Sequence, residues 1–262
     1  MPSLTRQKDF RPVQALEFCY LCGKPFQPGE ARNRDHLPAQ CTFLPKDREP
    51  LWLPTHISCN GGESPVDEKM GQLIALRYGK VPSDPTKHRL QLEAFSNARV
   101  AITNLSIDEA VWRWVRGFHS ALYGEFLPWD GIHSAGALVT PFPRATKSLS
   151  GPVIEPLRPQ HPLIVHTIKV NRMKGNLDQI VANKGKLIYD CVWAQADGGQ
   201  WMCMFAINIY DWKDLGRTDG QPARGCAGFY VLAGGGVPAT ATRSQLSSLI
   251  IPDYDTLDPF AA

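Results

Sequence analysis

The pattern of apolar and polar positions has two periods along this chain, a helical one in the first half and a two-residue alternation in the second. Ser64 is a good helix N-cap, and Pro65 suits the first helical position. Met70 and Leu73 then recur at helical spacing, and Gly79 is a typical stop. This pattern predicts a helix over 64–79.

A second, better marked helix follows residue 106, where Ser106 and Glu109 form a capping box. Its apolar positions lie on one stripe: Val111, Val115, Phe118 and Leu122. Trp114 lies beside this stripe, and the aromatic residues of the segment are Trp112, Trp114 and Phe118. We interpret these aromatic residues as core residues rather than as a platform for stacked bases, because their spacing is helical. Residues 86–98 are also predicted to be helical.

The second half of the chain begins with a cluster of prolines between 138 and 162, which predicts a linker. Beyond it apolar residues alternate, which is typical of strands. The alternating runs are Ile164 to Val170, Leu187 to Trp193 and Trp201 to Ile209. A further strand is predicted at Ala227 to Leu232, and the sequence Asp-Gly-Gly at 197–199 predicts a hairpin turn.

These elements predict an α+β fold in four segments. A module of short strands and loops covers 1–80, and a helical segment covers 81–137. The proline-rich linker covers 138–162, and a small antiparallel sheet of unknown role covers 163–262. The hydrophobic content of 43% and the charged content of 20% are typical of a globular protein of 262 residues.

The composition also limits the cellular setting. No run of eighteen apolar residues is present, so we expect no membrane span and no membrane partner. The first ten residues lack the apolar stretch of a secretory signal, which favours a cytoplasmic location. The seven cysteines are odd in number and do not form the pattern of a disulfide scaffold.

Four of the potential metal ligands have the spacing of a tetrahedral zinc site. Cys19 and Cys22 form one Cys-x-x-Cys pair, and His56 and Cys59 form a His-x-x-Cys pair further along. Two such turns can point four ligands at one ion, which predicts a closed, structural zinc site. One alternative is a redox pair of Cys19 and Cys22, and another is Cys41 as the fourth ligand in place of His56.

Three residues of different chemistry fall between or beside these ligand pairs. Asp35 and His36 lie between the pairs, and Asn60 directly follows the last cysteine. A carboxylate and an amide oxygen are hard ligands suited to magnesium or manganese, and an imidazole is a candidate general base. These three residues therefore predict a second metal site beside a general base. Such a site in turn predicts hydrolysis of a phosphodiester.

Together these motifs resemble the HNH endonucleases, whose ββα-metal core is stabilised by zinc. The resemblance covers roughly residues 19–70 and is closest to a bacterial branch with the pattern Asp-His-x-Pro, here at 35–38. It implies that residues 1–80 form a zinc-stabilised HNH module. It also implies that His36 is the general base and that Asp35 and Asn60 hold one catalytic divalent cation, magnesium or manganese.

The chain departs from the family pattern at two places. The middle asparagine of the motif should fall near Leu51 and is absent, which leaves the group that orients His36 unidentified. Two glycines at 61–62 interrupt the helix that normally starts at the last motif residue. Asp67 or Glu68 is therefore an alternative metal ligand to Asn60.

The net charge of +3 is modest for a nucleic-acid-binding protein. The clearest basic cluster includes Lys169, Arg172 and Lys174, which we interpret either as a solvated loop or as a phosphate-binding patch. We predict a metal-dependent endonuclease that acts on nucleic acid, with DNA the expected substrate. The alternatives are a non-catalytic nucleic-acid-binding module and a zinc-containing interaction protein; the oligomeric state is left open.

Overall fold

The computed structural model describes residues 2–49, 51–61, 64–77, 86, 88–95, 99–102, 107–128, 133–138, 160–195, 199–210, 226–232 and 234–244. It confirms a mixed α+β fold. The helices are α1 Arg11–Gln14, α2 Ile57–Asn60, α3 Ser64–Arg77, α4 Ile107–Tyr123 and α5 Gln160–Met173. The strands are β1 Ser3–Leu4, β2 Arg32–His36, β3 Trp52–His56, β4 Leu92–Phe95, β5 Arg99–Ile102, β6 His133–Leu138, β7 Asp178–Ala182, β8 Leu187–Gln195, β9 Trp201–Ile209, β10 Cys226–Tyr230 and β11 Arg243–Ser244. Short 3-10 turns cover Gln7–Phe10, Gln40–Thr42 and Pro45–Asp47.

The largest sheet has seven strands in the order β1-β7-β8-β9-β10-β6, with β11 also pairing with β8. Neighbours are antiparallel except for the parallel pairs β1–β7 and β11–β8. The predicted antiparallel sheet is thus confirmed, and β8 and β9 pair in antiparallel register up to Gln195 and Trp201. Residues 197 and 198 of the predicted turn between them lie outside the described part of the chain. Strands β1 and β6 join the sheet from outside the predicted 163–262 segment.

The sheet has a buried surface on each face. Tyr189, Cys191 and Trp193 of β8 belong to the larger core cluster, which also contains residues of α3 and α4. Val192 and Ala194 of the same strand belong to a second cluster with residues of α5. Because neighbouring strand residues point to opposite faces, α4 and α5 pack on opposite sides of the sheet.

Helices α3 and α4 confirm two predictions, and the aromatic residues of α4 confirm a third. Trp114 and Phe118 are buried, and Trp112 packs partly buried against the same core. Residues 78 and 79, the predicted end of the first helix, lie outside the described part of the chain.

Two element predictions were wrong. Residues 164–170 are part of helix α5, and their buried members fall at helical spacing: Ile164, Thr167, Ile168 and Asn171. The predicted helix over 86–98 contains strand β4, which forms an antiparallel hairpin with β5. In both segments the apolar positions are compatible with either period. Helix α5 packs on the sheet, and β4 pairs with the neighbouring β5.

The predicted proline-rich linker lies almost entirely outside the described residues. The described chain stops at residue 138, the end of β6, and resumes at residue 160, the start of α5. Pro162 lies in the first turn of α5, a position at which proline is tolerated.

Among the described residues, no helix is both long enough and apolar enough to cross a membrane.

The hairpin of β2 and β3 is held against the rest of the molecule by α4. Gly117 allows close contact, since a Cβ at this position would overlap the buried side chain of Leu37. Arg116 donates from Nη2 to the carbonyl oxygen of Leu21 at 2.5 Å and from Nε to that of Leu127 at 3.0 Å. Helix α4 therefore contacts both the hairpin and the loop that carries the first two cysteines.

Candidate metal centre and adjoining polar cluster

The loop of Cys19 and Cys22 and the end of strand β3 meet at one point. The loop is a tight turn, in which the Gly23 amide donates to the Cys19 carbonyl at 2.7 Å and Gly23 has φ of 75°. Only glycine adopts this backbone conformation readily, so the sequence after Cys22 favours the turn. On the other side, His56 ends β3 and Cys59 lies in α2.

The predicted zinc ligands form one cluster. The ligand atoms of Cys19, Cys22, His56 and Cys59 all lie within 4.8 Å of one another. Nδ1 of His56 lies 3.3 Å from Cys22 Sγ and 3.9 Å from Cys59 Sγ, and the His56 amide donates to Cys19 Sγ at 3.4 Å. Three sulfurs and one imidazole nitrogen at these distances fit a tetrahedral ion such as zinc.

The surroundings of His56 suit a metal ligand. Its Nε2 lies 3.5 Å from Glu30 Oε1, so a proton on Nε2 can be donated to the carboxylate while Nδ1 faces the three thiols. Burial, together with the neighbouring Cys19 and Cys22, raises the pKa of Cys59 to about 11. A bound cation would oppose this effect, because it stabilises thiolates.

Cys41 is not part of this cluster. Its thiol donates to the carbonyl oxygen of Asp67 at 3.2 Å, and burial raises its pKa to about 11. The structure therefore favours His56 over Cys41 as the fourth ligand.

Asp35 and Asn60 also come together, as the sequence predicts, but they meet on an arginine. Nη2 of Arg113 donates to Asp35 Oδ2 at 2.8 Å and to Asn60 Oδ1 at 2.9 Å. Nη1 of the same guanidinium donates to Asp67 Oδ2 at 2.7 Å. Arg113 and Asp35 are both buried, so one guanidinium occupies the space between three oxygen-bearing side chains.

Tyr20 completes this polar cluster. Its hydroxyl donates to Asp35 Oδ2, and burial raises its pKa well above the ordinary value, so it stays protonated. Burial opposes the charge of Arg113, but the Asp35 and Asp67 carboxylates favour it, and the pKa of Arg113 is raised. Buried charges of this kind are stable only when they are paired and hydrogen-bonded.

Sequence reasoning missed Tyr20 and Arg113. The available signals were weak: Tyr20 lies between two zinc ligands, and Arg113 is a charged residue between two tryptophans of a predicted core helix. Asp67 was considered as an alternative ligand and does join the cluster. Glu68 does not, because it pairs with Arg89 at 2.9 Å on the surface.

His36 lies apart from the Arg113 hydrogen bonds. It follows Asp35 on β2, so its side chain leaves the opposite face of the strand, where it pairs in register with Trp52. Within the described residues it makes no side-chain hydrogen bond. Burial lowers its pKa by more than the Asp35 carboxylate raises it, so the imidazole is neutral near pH 7.

Leu51, at the position of the missing asparagine, has a backbone role. Its side chain is buried, and its carbonyl oxygen accepts a hydrogen bond from the Leu37 amide at 3.1 Å. This bond holds the chain directly after His36 against the start of β3. It positions the backbone at His36 without contacting the imidazole.

The three predicted phosphate-binding residues lie elsewhere. Lys169, Arg172 and Lys174 are exposed at the end of α5, on the face of the sheet opposite to α4. Arg172 forms an ion pair with the buried Asp190. The interpretation of this segment as a loop between strands was wrong, because Lys169 and Arg172 belong to a helix.

The oxygens around Arg113 have the chemistry of a divalent cation site. Two carboxylates and one amide oxygen form a hard ligand set that suits magnesium or manganese. The same three side chains bind the guanidinium, which means that they fit an ion only when Arg113 has moved away. For the cluster of Cys19, Cys22, His56 and Cys59, binding of an ion requires no such movement.

Comparisons of the chain with protein-family models, with curated proteins and with solved structures found no match.

Proposed function

We propose that this protein is a metal-dependent endonuclease of the HNH type that hydrolyses phosphodiester bonds in DNA. The observation that supports this best is the convergence of Asp35 and Asn60 on a single cationic nitrogen, at 2.8 and 2.9 Å. These two residues lie 25 positions apart in the chain, and the fold brings their side-chain oxygens together, while His36 follows Asp35 in β2 on the opposite face of the strand.

In this proposal each residue has a distinct role. His36 accepts a proton from the attacking water, because it lies on the open face of β2 and has no competing hydrogen bond among the described residues. Asp35 and Asn60, with Asp67 as a further candidate, hold the divalent cation. When bound, that cation supplies charge stabilisation at the scissile phosphate. Cys19, Cys22, His56 and Cys59 hold a structural zinc that keeps the hairpin and α2 in place.

Plasmid nicking with added magnesium or manganese tests the proposal. We expect the zinc-containing protein to nick, and His36→Ala to lower the rate by about a hundredfold to ten-thousandfold while zinc content is retained. Asn60→Ala should lower metal-dependent nicking, and Glu68→Ala is the matched control because its carboxylate pairs with Arg89 on the surface. Full activity of a folded His36→Ala variant would refute the role of His36.

A second candidate function is supported by Arg113. Its guanidinium pairs with both Asp35 and Asp67, so each carboxylate has a cationic hydrogen-bond donor without a divalent ion. This favours a non-catalytic nucleic-acid-binding module in which the cluster is purely structural. Such a protein would bind DNA but show no nicking with magnesium or manganese, in the wild type or in any variant.

A further inference from the structure

The outer face of the β2–β3 hairpin carries two arginines that the proposed mechanism does not use. Arg32, Arg34 and His36 alternate along β2, so all three lie on the face opposite to the buried Asp35. The register supports this placement, since Arg32 pairs with His56 and His36 pairs with Trp52. The same face of β2 therefore carries Arg32 next to the metal centre, then Arg34, and then the candidate general base His36.

Both arginines are held by aromatic rings. The Arg32 guanidinium carbon lies 4.4 Å from the Phe26 ring centroid, and that of Arg34 lies 4.9 Å from the Trp52 ring centroid. Stacking of this kind restrains the flat face of the guanidinium and leaves its N–H edge free to donate. The two side chains are thus positioned before any partner binds.

Neither guanidinium is neutralised nearby. Within the described part of the chain, no carboxylate forms an ion pair with Arg32 or Arg34, although both are exposed. Asp35 is next to Arg34 in β2, but its carboxylate lies on the other face of the strand and pairs with Arg113. Glu30 precedes the strand. Its carboxylate accepts from the Gln27 amide at 2.9 Å and faces His56 Nε2 at 3.5 Å. The positive charge of this face is therefore available to an anionic partner.

We infer that the outer face of the hairpin binds the phosphate backbone of a DNA strand and that Arg32 and Arg34 contact phosphates next to the one at His36. This inference rests on the proposed function for the choice of DNA. Guanidinium groups bind phosphate oxygens through two parallel N–H donors, and the aromatic supports lower the entropy lost on binding. The basic end of α5, on the other side of the sheet, then has no part in this contact.

DNA binding without added divalent metal tests this inference separately from cleavage. Fluorescence anisotropy with a labelled duplex, repeated over a range of salt concentrations, measures the dissociation constant and its salt slope. The double variant Arg32→Gln/Arg34→Gln should bind about tenfold or more weakly and lose about two units of salt slope. Arg32→Lys/Arg34→Lys should keep most of the slope, because the charge remains.

The matched control is Lys169→Gln/Lys174→Gln, which removes two exposed charges, one in α5 and one directly after it. We expect its affinity and slope to equal those of the wild type. The inference is overturned if the wild type does not bind, if the Arg32/Arg34 variant keeps the wild-type slope, or if only the α5 variant loses it. Zinc content and thermal unfolding confirm that each variant is folded. A protein that binds DNA through Arg32 and Arg34 but never nicks it would refute the proposed endonuclease activity without refuting the proposed binding surface.

Discussion

At the scale of single residues, Arg113 determines the state of the polar cluster. Its guanidinium donates to Asp35, Asn60 and Asp67, and it lies in the middle of a buried helix. Removing one partner of a buried ion pair leaves the other charge without compensation, which costs more than the pair contributes. The cluster should therefore respond strongly to the loss of this one side chain.

We expect Arg113→Met to lower the free energy of unfolding by about 3–5 kcal/mol. Magnesium at millimolar concentration should restore part of this loss, because the three oxygens then face one another without a cation. Thermal unfolding with and without magnesium measures both effects. The matched control is Arg89→Met, whose exposed pair with Glu68 is worth about 0–1 kcal/mol. A variant that stays destabilised at every magnesium concentration would argue against a latent metal site.

His119 makes the stability depend on pH. It is fully buried, its Nδ1 lies 2.8 Å from the Tyr230 hydroxyl, and Nε2 has no partner among the described residues. Burial lowers its pKa from 6.5 to about 3. The folded state thus disfavours the proton, so the stability due to neutral His119 is complete above pH 6.5 and is lost as the pH falls towards 3.

Urea unfolding between pH 7.5 and 5.5 should show this loss in the wild type. The slope should approach, at most, about 1.4 kcal/mol per pH unit for one proton. His119→Asn should have a flatter pH dependence, because an amide can still face the Tyr230 hydroxyl but does not titrate. Equal slopes for the two proteins, measured with zinc retained, would assign the acid sensitivity to another group.

At the scale of elements, helix α4 is the one that joins the hairpin to the sheet. Its residues from Ala110 to Leu122 are buried except for the half-buried Trp112. It contacts the hairpin through Gly117 and Arg113 and the cysteine loop through Arg116. Its close approach to the hairpin depends on the absence of a Cβ at Gly117. Close-packed cores tolerate an added methyl group poorly.

Gly117→Ala should therefore lower the free energy of unfolding by about 1–3 kcal/mol, even though alanine favours a helix. Gly61→Ala is the control, because a Cβ there lies 3.8 Å from the Ile57 carbonyl oxygen, an ordinary van der Waals contact, and its effect should stay within about 0.5 kcal/mol. Chemical denaturation measures both. In the background of Leu37→Ala, which removes the overlapping side chain, Gly117→Ala should cost much less. Simple additivity of the two changes would contradict the proposed contact.

At the scale of the whole molecule, the candidate metal centre and the sheet share one core. The larger hydrophobic cluster contains Tyr20 beside the first cysteine, Leu53 of the hairpin and Phe205 of the sheet. Loss of the metal centre should therefore affect more than the loop that carries it. A structural metal contributes its binding free energy to folding, since the unfolded chain does not hold its ligands together.

We expect one zinc per chain in protein purified without chelator. Cys22→Ser should lose this zinc and unfold at a lower temperature, whereas Cys41→Ser should keep it, because Cys41 lies outside the ligand cluster. Metal analysis together with thermal unfolding checks both outcomes. The absence of zinc in the wild type, or its retention in Cys22→Ser, would contradict the assignment of the ligands.

The amino-acid sequence by itself determined the features that depend on local spacing. The two x-x ligand pairs predicted the members of the metal cluster, because a single turn suffices to bring such residues together. The helical periods of α3 and α4 and the alternation in β8 and β9 were also recognised, since each of these segments buries one continuous face. The resemblance to the HNH endonucleases implies that Asp35 and Asn60 bind one cation. The structure brings their side-chain oxygens to one guanidinium nitrogen, Nη2 of Arg113.

Only the tertiary structure decided the features that depend on distant partners. Arg113 is 78 residues from Asp35 in the chain, and no local pattern indicates which buried cation will neutralise a carboxylate. The residues of α5 carry apolar side chains compatible with either period, and their packing against β8, β9 and β10 selected the helix. The exposed position of Arg32 and Arg34 depends on the register of β2 with β3, because a shift of one residue would turn both side chains towards the core.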